Sequence, residues 1–155
     1  MKHLVHYGIL GLTFMLFSYA SVAGDFDVRV PMKDLGASTF YVDAEIRFLG
    51  AVQLMVDTGS GYLTINEETL AILKKNTEVR YVKQLQGVLA NGSELVVPVY
   101  SLPSLNLGGE CQLHDVEAAV FPGNTRLILG LSALSRAAPF IFSVNPPELV
   151  LSHCT

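Results

Sequence analysis

This chain has no glycine-rich phosphate loop, no zinc-binding spacing and no clustered basic face, and each absence removes a class of function. Nothing is present to cradle nucleotide phosphates. Its only cysteines, Cys111 and Cys154, lack the close spacing of a metal site, and His114 and His153 stand alone. No metal and no cofactor is therefore expected. Ten Lys plus Arg against 14 Asp plus Glu give a net charge of −4, the wrong sign for a nucleic-acid partner. The stretch Gly130-Leu131-Ser132-Ala133-Leu134 lacks the second glycine of a nucleophile elbow, which weakens the case for a serine hydrolase. No internal repeat is visible.

What is present begins with a short basic start, Met1-Lys2-His3, and a nearly unbroken apolar run over residues 4–20. This is the pattern of a secretory signal, with cleavage expected after Ala23, where Ser21-Val22-Ala23 supplies small residues. A retained membrane anchor is the alternative, because the run approaches the roughly 20 residues that span a bilayer. No cysteine follows the run, which argues against a lipid anchor. The expected organisation is a signal at 1–23, a leader at 24–38 and one domain at 39–155, placed in the periplasm or outside the cell. In such a compartment a Cys111–Cys154 disulfide is expected, with two free buried thiols as the alternative.

Residues 39–56 alternate Tyr41, Asp43, Glu45 and Arg47 with Val42, Ala44, Ile46 and Phe48, the period of a strand with one wet face. A second strand, 51–56, turns apolar as it nears Asp57 and is expected to be buried on both faces. Asn66 caps a short helix that opens on Glu67-Glu68 and closes on Lys74-Lys75, matching the helix dipole. Strands are then expected at 80–89 and 94–100, joined at Asn91-Gly92, where both residues must tolerate positive φ. A further pair turns at Gly108-Gly109 into 111–121, and an apolar strand over 126–130 leads into a helix at 131–136. Two final strands, 140–144 and 148–151, flank Asn145-Pro146-Pro147. The whole reads as one all-β domain, small and closed, with two short helices.

The chemistry centres on Asp57-Thr58-Gly59-Ser60, which ends an apolar strand and occurs once. The tripeptide alone is weak evidence, since chance places it in roughly one chain of this length in thirty. A turn aspartate bonding nearby amides is the plainer reading. Context strengthens it: strand, Asp-Thr-Gly, helix, Asn-Gly hairpin, strand pair, then Ile128-Leu129-Gly130. This order resembles the retropepsin-like aspartic proteases, in particular their exported bacterial single-domain branch, over about 39–152.

The resemblance implies that Asp57 is catalytic, that Thr58 braces paired loops across a dimer, and that Gly59 lets the backbone turn close to a substrate. Ser60 would donate to the outer carboxylate oxygen. Ala90, Asn91 and Gly92 correspond to the tip of a flap, although any hairpin would look the same. Ile128, Leu129 and Gly130 correspond to the second signature, packed behind the catalytic loop. Gly61 departs from the family pattern, and no aromatic residue marks the flap tip.

With one Asp-Thr-Gly, the resemblance implies a homodimer that cleaves peptide bonds, using a water activated by Asp57 of each subunit. Residues 148–152 are the expected dimer sheet. A catalytically silent peptide-binding or interaction module of the same fold is the alternative function.

Overall fold

The computed structural model describes residues 26–76, 79–89 and 91–154. The signal segment, 1–23, and Ala90 lie outside them. The elements are β1 (Val28–Asp34), β2 (Phe40–Ile46), β3 (Gly50–Val56), β4 (Leu63–Asn66), α1 (Glu67–Asn76), β5 (Arg80–Val88) and β6 (Glu94–Leu107). Then follow β7 (Cys111–Phe121), β8 (Ile128–Leu129), α2 (Leu131–Leu134) with a 3-10 turn at Ser135–Ala137, β9 (Phe140–Val144) and β10 (Pro147–Leu151). The chain is all-β with brief helices.

Six strands close into a barrel in the order β6, β7, β4, β8, β3, β2, the last pairing back to β6 at Ile46↔Leu105 and Ala44↔Leu107. The alternation in β2 works as its sequence implies: Val42, Ala44 and Ile46 are buried, Asp43 and Glu45 exposed. Leu54, Leu63, Ile65, Leu102, Leu105, Leu107 and Leu129 are fully buried inside. Each contributes about 1.5–3 kcal/mol relative to exposure. In β3 only Leu54 is fully buried; Gln53 is exposed and Met55 and Val56 are half-buried, so this strand has a wetter face than expected.

Asn66 caps α1 through its side-chain oxygen, which accepts from the Thr69 N–H at 2.8 Å. The helix packs Leu70 and Leu73 inward and leaves Lys74 and Lys75 in solvent. On the wet face of β2, Lys33 donates to both oxygens of Asp43 at 2.6 and 2.8 Å. That bond, then one from Gln53, holds the Asp43 carboxyl below its ordinary value.

Three features differ from the sequence reading. The stretch read as a leader contributes β1, whose first half pairs with β10 and second half with β2, burying Val30 and Met32. β6 is one strand of 14 residues, not two. It tolerates Pro103 because that residue is skipped in the register with β7, where Leu102 opposes Val116 and Ser104 opposes His114. Finally, β10 is paired on both sides, by β1 and β9, so 148–151 offers no open edge for a second subunit. The free edge of this layer among the described residues is β9.

Cys111 and Cys154 form a disulfide, tying the C-terminal tail to the start of β7 across 43 residues of sequence. Closing a loop of that size restricts the unfolded chain by about 3–4 kcal/mol in the entropy model. Cys111→Ser/Cys154→Ser is therefore expected to lower the urea unfolding free energy by about that amount. An unchanged midpoint would show that the bridge does not constrain the chain.

Candidate active site

Asp57 follows β3 directly, and the loop 57–62 must return to β4, which lies two places away in the sheet. Between them sits β8, parallel to β3 at Met55↔Ile128 and Val56↔Leu129, and antiparallel to β4 at Thr64↔Ile128. The loop thus arches over the end of β8, where Gly130 stands. Its backbone is bonded there throughout: the Asp57 N–H donates to the Leu129 carbonyl at 3.1 Å, the Leu131 N–H to Ser60 at 2.8 Å, and the Ser132 N–H to Gly61 at 3.0 Å.

Gly130 is dictated by space. A Cβ there would lie 2.1 Å from the Tyr62 carbonyl oxygen, 2.6 Å from its carbon and 2.7 Å from the Ser60 oxygen. All three are backbone atoms, so relief would require moving the loop itself. Ile128-Leu129-Gly130 therefore packs behind the loop that carries Asp57.

Ser132, which the sequence reading weighed only as part of a nucleophile elbow, completes the brace. Its hydroxyl donates to the Glu117 carbonyl at 2.6 Å and accepts from the Leu63 N–H at 2.7 Å, clipping α2 to both β7 and β4. The signal for it was weak, a serine two residues beyond the glycine on a helix of one turn.

Within the loop, Asp57 is half-buried and its Oδ1 accepts from the Gly59 N–H at 2.9 Å. Its backbone carbonyl accepts from the Ser60 N–H at 3.2 Å. Gly59 leaves room for this turn, since a Cβ would approach Asp57 Oδ1 to 3.1 Å. Thr58 is exposed. Ser60 departs from its expected role: its hydroxyl donates to the Tyr62 carbonyl at 2.9 Å, not to Asp57. The cause is the arch of the loop, which carries Tyr62 back over Ser60 above Gly130.

Asp57 opens onto a cleft of about 560 Å³ lined also by Gly59, Ser60, Thr64, Phe121 and Ile128, with Val88 and Leu89 of the β5–β6 hairpin opposite. That volume suits a peptide segment. The hairpin loop is longer than the Asn-Gly motif suggests. It spans residues 89–93, closed by Leu89 and Ser93 at 2.8 Å, and of Asn91 and Gly92 only Gly92 has positive φ, at 82°. Asn91 instead accepts from the Ser93 N–H and hydroxyl through its side chain. Val88 and Leu89 thus border the cleft, while Asn91 and Gly92 shape the turn beyond it.

At the base of this hairpin, Lys83 lies 3.0 Å from Glu117 and over the Tyr62 ring at 5.4 Å. Hydrogen bonding toward Tyr62 first, then Glu117, pushes the Lys83 ammonium above the ordinary lysine value. It stays charged across the range in which a carboxylate works. No group of His, Cys, Asp and Glu able to hold a metal ion occurs among the described residues.

A closed six-stranded barrel with an Asp-Thr-Gly loop seated over the glycine that follows a short central strand is the architecture of the retropepsin-like aspartic proteases. The model of the "gag-polyprotein putative aspartyl protease" family matches residues 42–136, and the chain belongs to that family. Among solved structures it is similar to a retropepsin-like aspartic protease from Rickettsia conorii. The two share 19% identity and a TM-score of 0.53, over 81% of this chain and 89% of that one. At this identity the likeness is one of fold. No curated protein matches.

Gly130→Ala is expected to destabilise the fold by about 3 kcal/mol or more, since the methyl meets fixed backbone. Thermal unfolding followed by circular dichroism measures it. A variant as stable as the parent would contradict the packing described for the loop.

Proposed function

We propose that this chain is an aspartic endopeptidase that works as a homodimer, its active site formed by Asp57 of each subunit at a two-fold axis. The observation that carries the reading is the placement of Asp57, on a braced loop at the mouth of a peptide-sized cleft with a hairpin opposite. Two carboxylates about 3 Å apart cannot both ionise and share one proton. The ionised member takes a proton from a water, which attacks the peptide carbonyl. The protonated member polarises that carbonyl and then supplies the proton for the departing amine. Peptide and water suffice for this chemistry.

Thr58 is exposed beside Asp57, and in this reading it braces the paired loops by meeting its counterpart across the axis. Removal of residues 1–23 would deliver the chain to the periplasm or the exterior, and the Cys111–Cys154 bridge supports an oxidising compartment.

The dimer contact falls on β9. Its sequence, Phe140-Ile141-Phe142-Ser143-Val144, carries no charge, and Ile141 and Val144 are 45% and 61% exposed. The opposite sheet edge, β5, is protected by Arg80 and Lys83, as exposed edges usually are. An uncharged edge pairing antiparallel with its own copy makes the isologous contact that a two-fold dimer needs. α2 is hydrogen-bonded to the loop through the Leu131 and Ser132 N–H groups and leads through the turn after it to β9, so the contact and the loop are joined through one short segment.

Asp57→Asn is expected to cut cleavage of a mixed peptide library at least about a hundredfold. The parent rate should trace a bell against pH, highest where the pair holds one proton: acid protonates both carboxylates, and base strips the shared proton. Unchanged cleavage by the variant would refute the dyad.

Ile141→Lys points a charge into solvent in the monomer and against its like in the dimer. Sedimentation is expected to show monomer, with fold stability within about 0.5 kcal/mol of the parent. Mixing with Ile141→Asp should restore dimer and activity. Persistence of the dimer in Ile141→Lys would move the contact elsewhere.

A further inference from the structure

β4 presents Leu63 and Ile65, both 0% exposed, to the barrel core, so alternation turns Thr64 to the other face, where it lines the Asp57 cleft. Thr64 is only 3% exposed, and its hydroxyl, which takes part in none of the hydrogen bonds described, is not sealed off from the cleft. The other hydroxyls of the cleft are engaged: Ser60 donates to the Tyr62 carbonyl and Thr125 to the Pro122 carbonyl at 2.8 Å. Around Thr64 the walls are Val88, Leu89, Phe121 and Ile128. Apart from Asp57, no charged side chain among the described residues lines the cleft.

Resting on the reading of this cleft as a peptidase site, we propose that Thr64 is a specificity-determining residue. It selects a substrate whose side chain beside the scissile bond ends in an uncharged hydrogen-bonding group, such as asparagine or glutamine. An apolar side chain seated there would displace solvent from the hydroxyl and leave it unpaired in an apolar pocket. A side-chain amide replaces that solvent and offers both a donor and an acceptor. A charged group would enter with no counter-charge besides the acid that the reaction needs. The walls accept the aliphatic stem, and the hydroxyl reads its end.

The test uses paired peptides that differ only in Asn or Leu, close in size, at each position flanking the cleavage site. Cleavage is measured with the full chain and with Thr64→Val and Thr64→Ser; binding is measured by calorimetry on the same variants carrying Asp57→Asn. At one position the parent is expected to favour Asn by about 3- to 10-fold. Thr64→Ser should keep that preference and Thr64→Val reverse it, with no loss of thermal stability. A preference that Thr64→Val leaves unchanged, a parent that favours Leu at every position, or a lowered melting temperature in Thr64→Val would overturn the proposal. The binding measurement needs no turnover. Thr64-dependent binding without cleavage by the parent would remove the catalytic reading and leave the specificity assignment standing.

Discussion

The contact on which the molecule depends is the approach of Gly130 to the backbone of Ser60 and Tyr62, close enough that a single methyl group would collide with three main-chain atoms. It arises from topology. β8 is inserted between β3 and β4, so the chain leaving β3 has to cross the end of β8 before it can re-enter the sheet. Hydrogen bonds from Asp57, Leu131 and Ser132 then fix the crossing at both ends. A carboxylate that meets a second one within a few ångströms, as proposed for Asp57, cannot be carried on a loose loop, because a displacement of about half an ångström already spoils such a constellation.

The rest of the fold can be understood as support for that crossing. The barrel buries its leucines to hold β3 and β8 in register, and Ser132 ties the segment behind the loop to β7 and β4. β1, β10 and β9 form a layer beside the barrel, joined to it where β1 passes from β10 to β2. The disulfide anchors the tail that follows β10. One short helical segment thus connects the loop that bears Asp57 to the strand that would bear the second subunit.

How much of this could be read in the sequence depended on how local the cause was. The wet-face alternation of β2, the cap at Asn66 and the glycine of Ile128-Leu129-Gly130 are decided by near neighbours, and they stand in the structure as the residues imply. β1 was hidden because Pro31 interrupts its short pattern of Val28, Val30 and Met32, and its partners lie at the far end of the chain and in β2. β6 was read as two pieces, one at 94–100 and one just before Gly108-Gly109, whereas long-range pairing with β5, β2 and β7 carries the strand through. In the loop, the tight turn at Asp57 and the close approach of Gly130 were legible because both follow from residues adjacent in sequence to a strand end. The Ser60 hydroxyl, the Ser132 clip and the Thr64 wall were not, since each depends on which carbonyl or cavity the folded loop brings near. The open edge at β9 follows from the pairing of β10 on both sides, which no local pattern announces.

The central claim is that one chain carries half of a catalytic pair. Its most direct test is the peptidase rate measured against chain concentration, from well below to well above the dimer dissociation constant. The account predicts a rate that rises with the square of concentration at the dilute end and becomes linear once the dimer is saturated. A rate strictly proportional to concentration down to conditions in which sedimentation finds only monomer would contradict it.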